Sequence, residues 1–212
     1  ETIIDLMALM GRADLKTELI KELERQAGLL ETLRDKRGVD ASRLDGVLES
    51  IRRLLTALRG SDKVPGQGLK SHELLGNVRQ RTSIPAGACS FDVPAYQFWL
   101  EQPAEVRQGH LNDWLEEFAD VRDAVELCLT LVRESARSTR EQAEQGFFQR
   151  SLDPNVTCQM VRVVLAEGLD CFPEVSGGKH RFTIRFMTQN SPAERPAQVG
   201  ADVGFELQCC VI

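Results

Sequence analysis

The first 60 residues carry hydrophobic side chains at the spacing of amphipathic helices. Thr2 to Met10 is predicted to be helical, and Gly11 to Asp14 is predicted to break the helix, with Asp14 as the next N-cap. Two apolar stripes follow, Leu15, Leu19, Leu23, Ala27, Leu30 and Leu33, then Leu44, Val47, Leu48, Ile51, Leu54, Leu55 and Leu58. Asp40 is expected to cap the second helix. Because only a short loop separates the two stripes, they predict an antiparallel helical hairpin whose stripes form core or a dimer seam.

Shorter helices are predicted as far as residue 134. After a loop from Gly60 to Lys70, Ser71 is expected to cap a helix ending near Arg81. Asp92 is expected to cap another, with Pro94 in its first turn. A later helix is expected to begin at Pro103, and its apolar side carries Leu111, Trp114, Leu115 and Phe118. A further helix is expected after Asp120, and its broad apolar face carries Val121, Ala124, Val125, Leu127, Cys128, Leu131 and Val132.

The hydrophobic period changes from helical to alternating near Gly146. Strands are predicted from Phe147, over Thr157 to Leu165, over Lys179 to Met187 and from Val203 to Cys209. Modest loops between them favour an antiparallel sheet with one wet face. Helices followed by strands predict an α+β fold, with a helical domain over 1–141 and a small antiparallel β-sheet domain over 142–212.

The strand from Lys179 to Met187 alternates most strictly. Phe182, Ile184 and Phe186 fall on one face, and Arg181 and Arg185 fall on the other. A strand holds two guanidinium groups at a fixed spacing, and neither loses its charge near neutral pH. This arrangement suits an anionic partner such as a carboxylate-bearing peptide. The alternative is that both arginines pair with acidic neighbours across the sheet.

The composition is that of an ordinary globular protein, with 42% hydrophobic and 27% charged residues among 212. A net charge of −6 argues against a general nucleic-acid binder, which must neutralise phosphates. No apolar run is long enough to span a membrane, and no signal peptide opens the chain. The six cysteines show no C-x-x-C pair and no zinc-like spacing with the histidines, so buried free thiols are expected.

The sequence contains no motif that predicts an enzyme. P-loop, G-x-G-x-x-G, G-x-S-x-G and H-E-x-x-H patterns are absent. Glu116 and Glu117 are adjacent on a helix and face different directions. His72, His110 and His180 are scattered among polar residues and are expected at the surface, although His180 could line a site with Arg181. We therefore predict a binding or scaffold protein with no cofactor and no metal.

Seven segments, taken together, resemble the ZapD family, whose members associate with the tubulin-like GTPase FtsZ in bacterial cell division. They are KTELIKELERQ at 16–26, VRQR at 78–81, SIP at 83–85, CSFD at 89–92, FWL at 98–100, RFTIRFM at 181–187 and FELQCC at 205–210. No single segment is a mechanistic motif, but their joint occurrence in the family's order is highly specific. The family also carries a further helical segment ahead of the first residue here.

The resemblance implies a non-enzymatic homodimer, cytoplasmic at the midcell division ring, with neither nucleic acid nor membrane as partner. Each dimer would bind the C-terminal tails of FtsZ from two filaments and bundle them, stabilising the Z-ring. The family's basic pocket implies these residues for tail binding: Arg181, Arg185, Arg12, Arg79, Arg81, His180 and Lys179. Because the FtsZ tail mixes acidic and apolar residues, an ion-pair grip beside a hydrophobic slot is expected, with marked salt sensitivity.

Three other functions stay open from the sequence. A nucleic-acid-binding module could use the arginine strand, an enzyme could have an unrecognised site, and a generic helical scaffold could serve another partner. Arg79 and Arg81 could also stabilise a helix end rather than bind a partner, because cations interact favourably with a helix C-terminus.

Overall fold

A computed structural model describes residues 2–11, 13–60, 64–85, 87–153 and 158–211. Contacts divide the chain into two compact units, Glu1–Cys128 and Leu129–Ile212. The α+β fold class predicted from the sequence is confirmed: helices come first and antiparallel strands follow. The predicted domain boundary between 141 and 142 stays a prediction, because grouping contacts does not test which segments fold independently.

Eight helices lie in the described part of the chain. They are α1 Thr2–Met10, α2 Ala13–Glu31, α3 Ala41–Gly60, α4 Gln67–Lys70, α5 Glu73–Arg81, α6 Pro94–Leu100, α7 Ala104–Glu116 and α8 Ala119–Glu134. The predicted α2–α3 hairpin is confirmed by two ion pairs that join the end of α2 and the loop after it to α3. Arg34 pairs with Asp45 at 2.9 Å, and Arg52 pairs with Glu31 at 3.3 Å.

Helix capping differs from the sequence-based prediction at several ends. Asp40 does cap α3, because its Oδ1 accepts from the Arg43 N–H at 3.1 Å. Asp14 lies inside the first turn of α2 instead of at its N-cap. His72, not Ser71, is the N-cap of α5, and Asp92 pairs with Arg81 while Val93 takes the N-cap position of α6. Asp92 is drawn to Arg81 of the preceding helix, a partner that local spacing alone does not reveal.

The first unit buries an aromatic centre around Trp114. Ile3, Met7, Leu69, Leu75 and Phe118 pack with it. His72 meets Trp114 edge-on at 5.2 Å, and His110 stacks on it at 6.1 Å while accepting from the Trp99 Nε1–H at 3.1 Å. The sequence treated these histidines as scattered, whereas the fold places both on one tryptophan.

Seven strands lie in the described part of the second unit, where the sequence predicted four. They are β1 Thr139–Ala143, β2 Phe147–Ser151, β3 Cys158–Val164, β4 Phe172–Gly177, β5 Arg181–Thr188, β6 Ala197–Gln198 and β7 Val203–Val211. Thr157, at the predicted start of the second strand, lies outside the described residues. The strands form two antiparallel sheets, in the orders β1-β7-β3 and β2-β5-β4, with β6 paired to the end of β5.

The two sheets pack through their inner faces. Phe182, Ile184 and Phe186 of β5 are at most 1% exposed and share one core with Phe205 and Leu207 of β7. The Phe186 and Phe205 rings lie 5.0 Å apart. Because three successive inner positions of β5 are occupied by large buried side chains, the outward positions between them are held rigidly.

All six cysteines are described, and all are free thiols. Cys128 and Cys210 are buried as expected, but Cys89 is exposed and the other three are half-buried. Burial raises the pKa of the Cys128 thiol to about 11, which makes this thiol a poor nucleophile at neutral pH.

Candidate partner-binding face

Arg181 and Arg185 project from the outward side of β5, the central strand of its sheet. Both are exposed, and they alternate with buried Phe182, Ile184 and Phe186. The predicted division of this strand into an apolar and a basic face is therefore confirmed. The two arginines are four residues apart, which is about 13 Å along a strand that rises about 3.3 Å per residue.

Cross-strand register shows which side chains share this outward side. Arg185 lies between Phe147 of β2 and Glu174 of β4, while Arg181 lies opposite Ser151. We name this surface the arginine face and define it by the outward residues Phe147, Gln149, Ser151, Phe172, Glu174, Ser176, Arg181, Thr183, Arg185 and Met187. Directly opposed residues have Cβ atoms about 5 Å apart, so these side chains are neighbours.

Neither arginine is neutralised within the described part of the chain. Arg181 and Arg185 form no ion pair or side-chain hydrogen bond with another described residue, although Glu174 lies opposite Arg185. The alternative of cross-strand pairing with acidic neighbours is therefore not realised in this structure. Both guanidinium groups keep their donors free for a carboxylate partner.

Arg150 provides the contrast within the same sheet. It projects inward from β2, is half-buried, and pairs with Glu141 at 2.5 Å while its guanidinium lies 5.5 Å from the centre of the Phe148 ring. Burial disfavours its charged form, but hydrogen bonds to Glu141 and Cys209 raise the pKa of Arg150 overall. This arginine stabilises the fold and is not available to a partner.

Apolar side chains flank the Arg185 end of the arginine face. Phe147, directly opposite Arg185, is 42% exposed, and Phe172, opposite Met187, is 39% exposed. The sequence placed Phe147 at the start of a strand and left Phe172 outside any strand. Only the register between strands shows that Phe147 lies opposite Arg185 and that Phe172 lies opposite Met187, two residues further along β5.

Lys179 and His180 lie next to this face. They are the two central residues of the tight turn between β4 and β5, which the Gly178 N–H closes by donating to the Arg181 carbonyl at 2.9 Å. Both are exposed. The structure therefore brings four of the seven predicted site residues together at one sheet: Lys179, His180, Arg181 and Arg185.

Two further predicted residues are not part of this sheet. Arg79 and Arg81 belong to the first unit, in the last turn of α5, where Arg81 pairs with Asp92 at 2.9 Å. That pair links the end of α5 to the segment before α6, so it accounts for Arg81 structurally. Arg79 is exposed. Arg12 lies outside the described residues.

Comparison with known proteins gives the family. A family model described as ZapD, cell division protein, matches residues 1–185. The chain is 41% identical over 211 residues to the cell division protein ZapD of Methylococcus capsulatus, covering 100% of this chain and 82% of that protein. It is 38% identical over 210 residues to that of Chromobacterium violaceum, covering 99% and 83%. The chain belongs to the ZapD family of cell division proteins.

A role in cell division follows from membership of the ZapD family. The region matched by the ZapD model ends at Arg185 and so includes both arginines of the arginine face. Among the described residues, no helix is long and apolar enough to cross a bilayer. In the same residues, no three His, Cys, Asp or Glu side chains are grouped to hold a metal ion.

Proposed function

We propose that this ZapD-family chain is a non-enzymatic adaptor that binds the C-terminal tail of FtsZ through the arginine face. As a cytoplasmic homodimer at midcell, it crosslinks FtsZ filaments into bundles and stabilises the Z-ring. The observation that carries the proposal is the pair of exposed, unpaired guanidinium groups on a rigid central strand beside two exposed phenylalanines.

The expected binding free energies show that the arginines and the phenylalanines of this surface are both needed. An exposed ion pair contributes about 0.2–1 kcal/mol, so two arginines supply no more than about 2 kcal/mol. Burial of about 100 Å² of apolar surface on Phe147 and Phe172 adds about 2.5 kcal/mol. A tail that carries both acidic and apolar residues satisfies both requirements, and a purely acidic polymer satisfies only the first.

Crosslinking needs two such faces in one particle. A two-fold dimer presents two identical sites, and each site engages a tail from a different filament. Because the second binding event is intramolecular, modest affinity per site is enough to hold filaments together. No covalent chemistry is needed.

The test is low-speed co-sedimentation of FtsZ filaments with the wild-type chain and with the Arg181→Glu, Arg185→Glu double variant. We expect wild type to pellet bundles and the double variant to pellet no more FtsZ than filaments alone, because both attractive charges become repulsive. FtsZ lacking its C-terminal tail should not be bundled by either protein.

The matched control is the Arg137→Glu, Arg140→Glu double variant. It makes the same change in net charge, and Arg140 lies on β1 of the other sheet, outside the arginine face. It should bundle like wild type. Equal loss of bundling in both double variants would show a general charge effect and would contradict the proposed site, while bundling of tail-less FtsZ would contradict the proposed partner segment.

A further inference from the structure

An open concavity of about 890 Å³ adjoins the turn between β1 and β2. Its lining is dominated by side-chain amides, four glutamines in all, with two phenylalanines and two carboxylates. Its volume lies within the range of about 300–1,000 Å³ that is usual for ligand sites. Neutral amides at this density suit a ligand with many backbone N–H and C=O groups, such as an extended peptide.

Internal hydrogen bonds hold the walls of this concavity in place. Asp202 accepts from the Gln145 backbone N–H and from the Gln142 Nε2–H, each at 2.9 Å, and the Gln198 Nε2–H donates to the Gln145 carbonyl at 2.9 Å. These bonds use the amide N–H groups and leave the carbonyl oxygens of Gln142 and Gln198 to accept. The Gln149 side chain is exposed on β2, with no side-chain partner in the described residues.

Phe147 and Gln149 make the concavity continuous with the arginine face. Both belong to the arginine face by register, opposite Arg185 and Thr183, and both line the concavity. A peptide lying along β5 therefore reaches the concavity without leaving the sheet. Its path passes from Arg181 to Thr183, where Gln149 of β2 lies opposite, then to Arg185 and Phe147, and finally to the remaining amides.

The charges along this path change sign. The arginine face carries Arg181 and Arg185 against one carboxylate, Glu174, whereas the charged groups lining the concavity are the carboxylates Glu144 and Asp202. Acidic residues of a bound peptide are attracted to the first region and repelled from the second. The path therefore orients a peptide that mixes acidic and neutral residues.

We propose that the concavity is the second half of the tail-binding site, receiving the neutral part of the peptide. The Gln149 amide and the carbonyl oxygens of Gln142 and Gln198 bind the peptide backbone, and Phe147 contacts an apolar side chain. The acidic part then lies over Arg181 and Arg185. This inference rests on the proposed function, and it adds a specificity subsite and a binding orientation.

The first measurement is fluorescence anisotropy of a labelled synthetic FtsZ tail peptide at several salt concentrations. Gln149→Leu keeps the side-chain size but removes the amide, so we expect affinity to fall about three- to tenfold, as for the loss of one or two hydrogen bonds. The salt dependence should stay unchanged. Arg185→Gln should weaken binding and also flatten the salt dependence, because it removes a screened charge.

Gln159→Leu is the matched control, since Gln159 is an exposed residue of β3 in the other sheet. Orientation is read from peptides carrying a photo-crosslinker in either the acidic or the neutral part. The neutral-part probe should label β2 and the β1–β2 turn, and the acidic-part probe should label the segment around residues 179–185. Wild-type affinity in Gln149→Leu, or the reverse labelling pattern, overturns the inference alone. A wild-type chain that binds no tail peptide overturns the proposed function instead.

Discussion

Glu22 and Arg25 form a partly shielded ion pair on α2, with their closest atoms 2.6 Å apart. The same Glu22 carboxylate accepts from Gln26 Nε2 at 2.8 Å, and Gln26 is fully buried. Hydrogen bonding to Arg25 lowers the pKa of Glu22 below its usual 4.5, and the partnership raises the pKa of Arg25. One carboxylate therefore supports both a surface pair and a buried amide.

This lowered pKa gives a prediction about stability and pH. The ionised form of Glu22 is stabilised in the folded state, so its contribution is present above pH 4.5 and is lost as the pH falls further. Glu22→Gln should lower the free energy of unfolding of the first unit by about 1 kcal/mol at pH 7. The difference from wild type should shrink at pH 3. Trp99 and Trp114 both lie in the first unit, so tryptophan fluorescence in urea reports it directly.

Glu18→Gln is the control for that experiment. Its partner Lys21 is also three residues away, at 2.8 Å, but both side chains are about two-thirds exposed. Water screens such a pair, and we expect no measurable loss of stability. A Glu22→Gln deficit that persists unchanged at pH 3 would assign the effect to packing of the side chain instead of to its charge.

Gly146 is required by backbone geometry at the β1–β2 turn. Gln145 and Gly146 have φ of 48° and 73°, as in the tight hairpin turns that favour glycine. A Cβ at Gly146 would lie 2.4 Å from the Val199 carbonyl oxygen, and the Gly146 carbonyl accepts from the Phe186 N–H at 2.8 Å. We expect Gly146→Ala to destabilise the second unit by about 2 kcal/mol, from strain of about 1 kcal/mol or more plus the displacement of Val199.

Amide hydrogen exchange of β5 and β7 measures this loss, because these strands form the core of the second unit. Gly200→Ala is the control: a Cβ there meets nothing within 4 Å, and no left-handed φ is required. Exchange in Gly146→Ala that matches Gly200→Ala would contradict the steric argument.

At the scale of elements, β5 could be predicted from the sequence because the two faces of residues 181–186 differ at every position. Large apolar residues alternate with polar ones, so neither register nor orientation is ambiguous. β1 and β4 were missed for the opposite reason. β1 is the polar segment TREQA, and β4 contains Pro173 and ends at Gly177, as edge strands often do.

The candidate site, like the strands, could be predicted only in part from the sequence. Arg181 and Arg185 were identified because a single strand determines their common face. Phe147 was not, because it reaches the arginine face only through the pairing of β2 with β5 across a long stretch of chain. Phe172 was not, because β4 itself was not predicted as a strand. The contacts of His110 with Trp99 and Trp114 were missed for the same reason, since helix packing and not sequence spacing creates them.

At the scale of the whole molecule, the net charge of −6 hides an uneven distribution. Residues 101–128 contain eight carboxylates and two arginines, which account for the whole excess. Residues 129–212 contain ten carboxylates and nine basic side chains and are nearly neutral. The net charge of −6 therefore does not describe the second unit, which carries the arginine face and is itself nearly neutral.

Valency gives the last prediction, since crosslinking and binding respond differently to loss of sites. Suppose wild-type chains and the Arg181→Glu, Arg185→Glu variant are co-expressed in equal amounts and pair at random. Half of all sites stay functional, but only about a quarter of the dimers keep two functional sites. Tail-peptide binding should fall to about half, and low-speed pelleting of FtsZ should fall to about a quarter, because a dimer with one site cannot bridge filaments.

The same mixture made with the Arg137→Glu, Arg140→Glu variant should retain both tail-peptide binding and pelleting of FtsZ. It controls for the change in net charge and for the effect of co-expressing two chains. Two-fold pairing can be checked in each mixture by carrying different tags on the two chains. If pelleting falls only in proportion to peptide binding, each chain bundles without a partner site, and filament bridging by paired arginine faces is excluded. A steeper loss of bundling than of binding is the result that requires two faces in one particle.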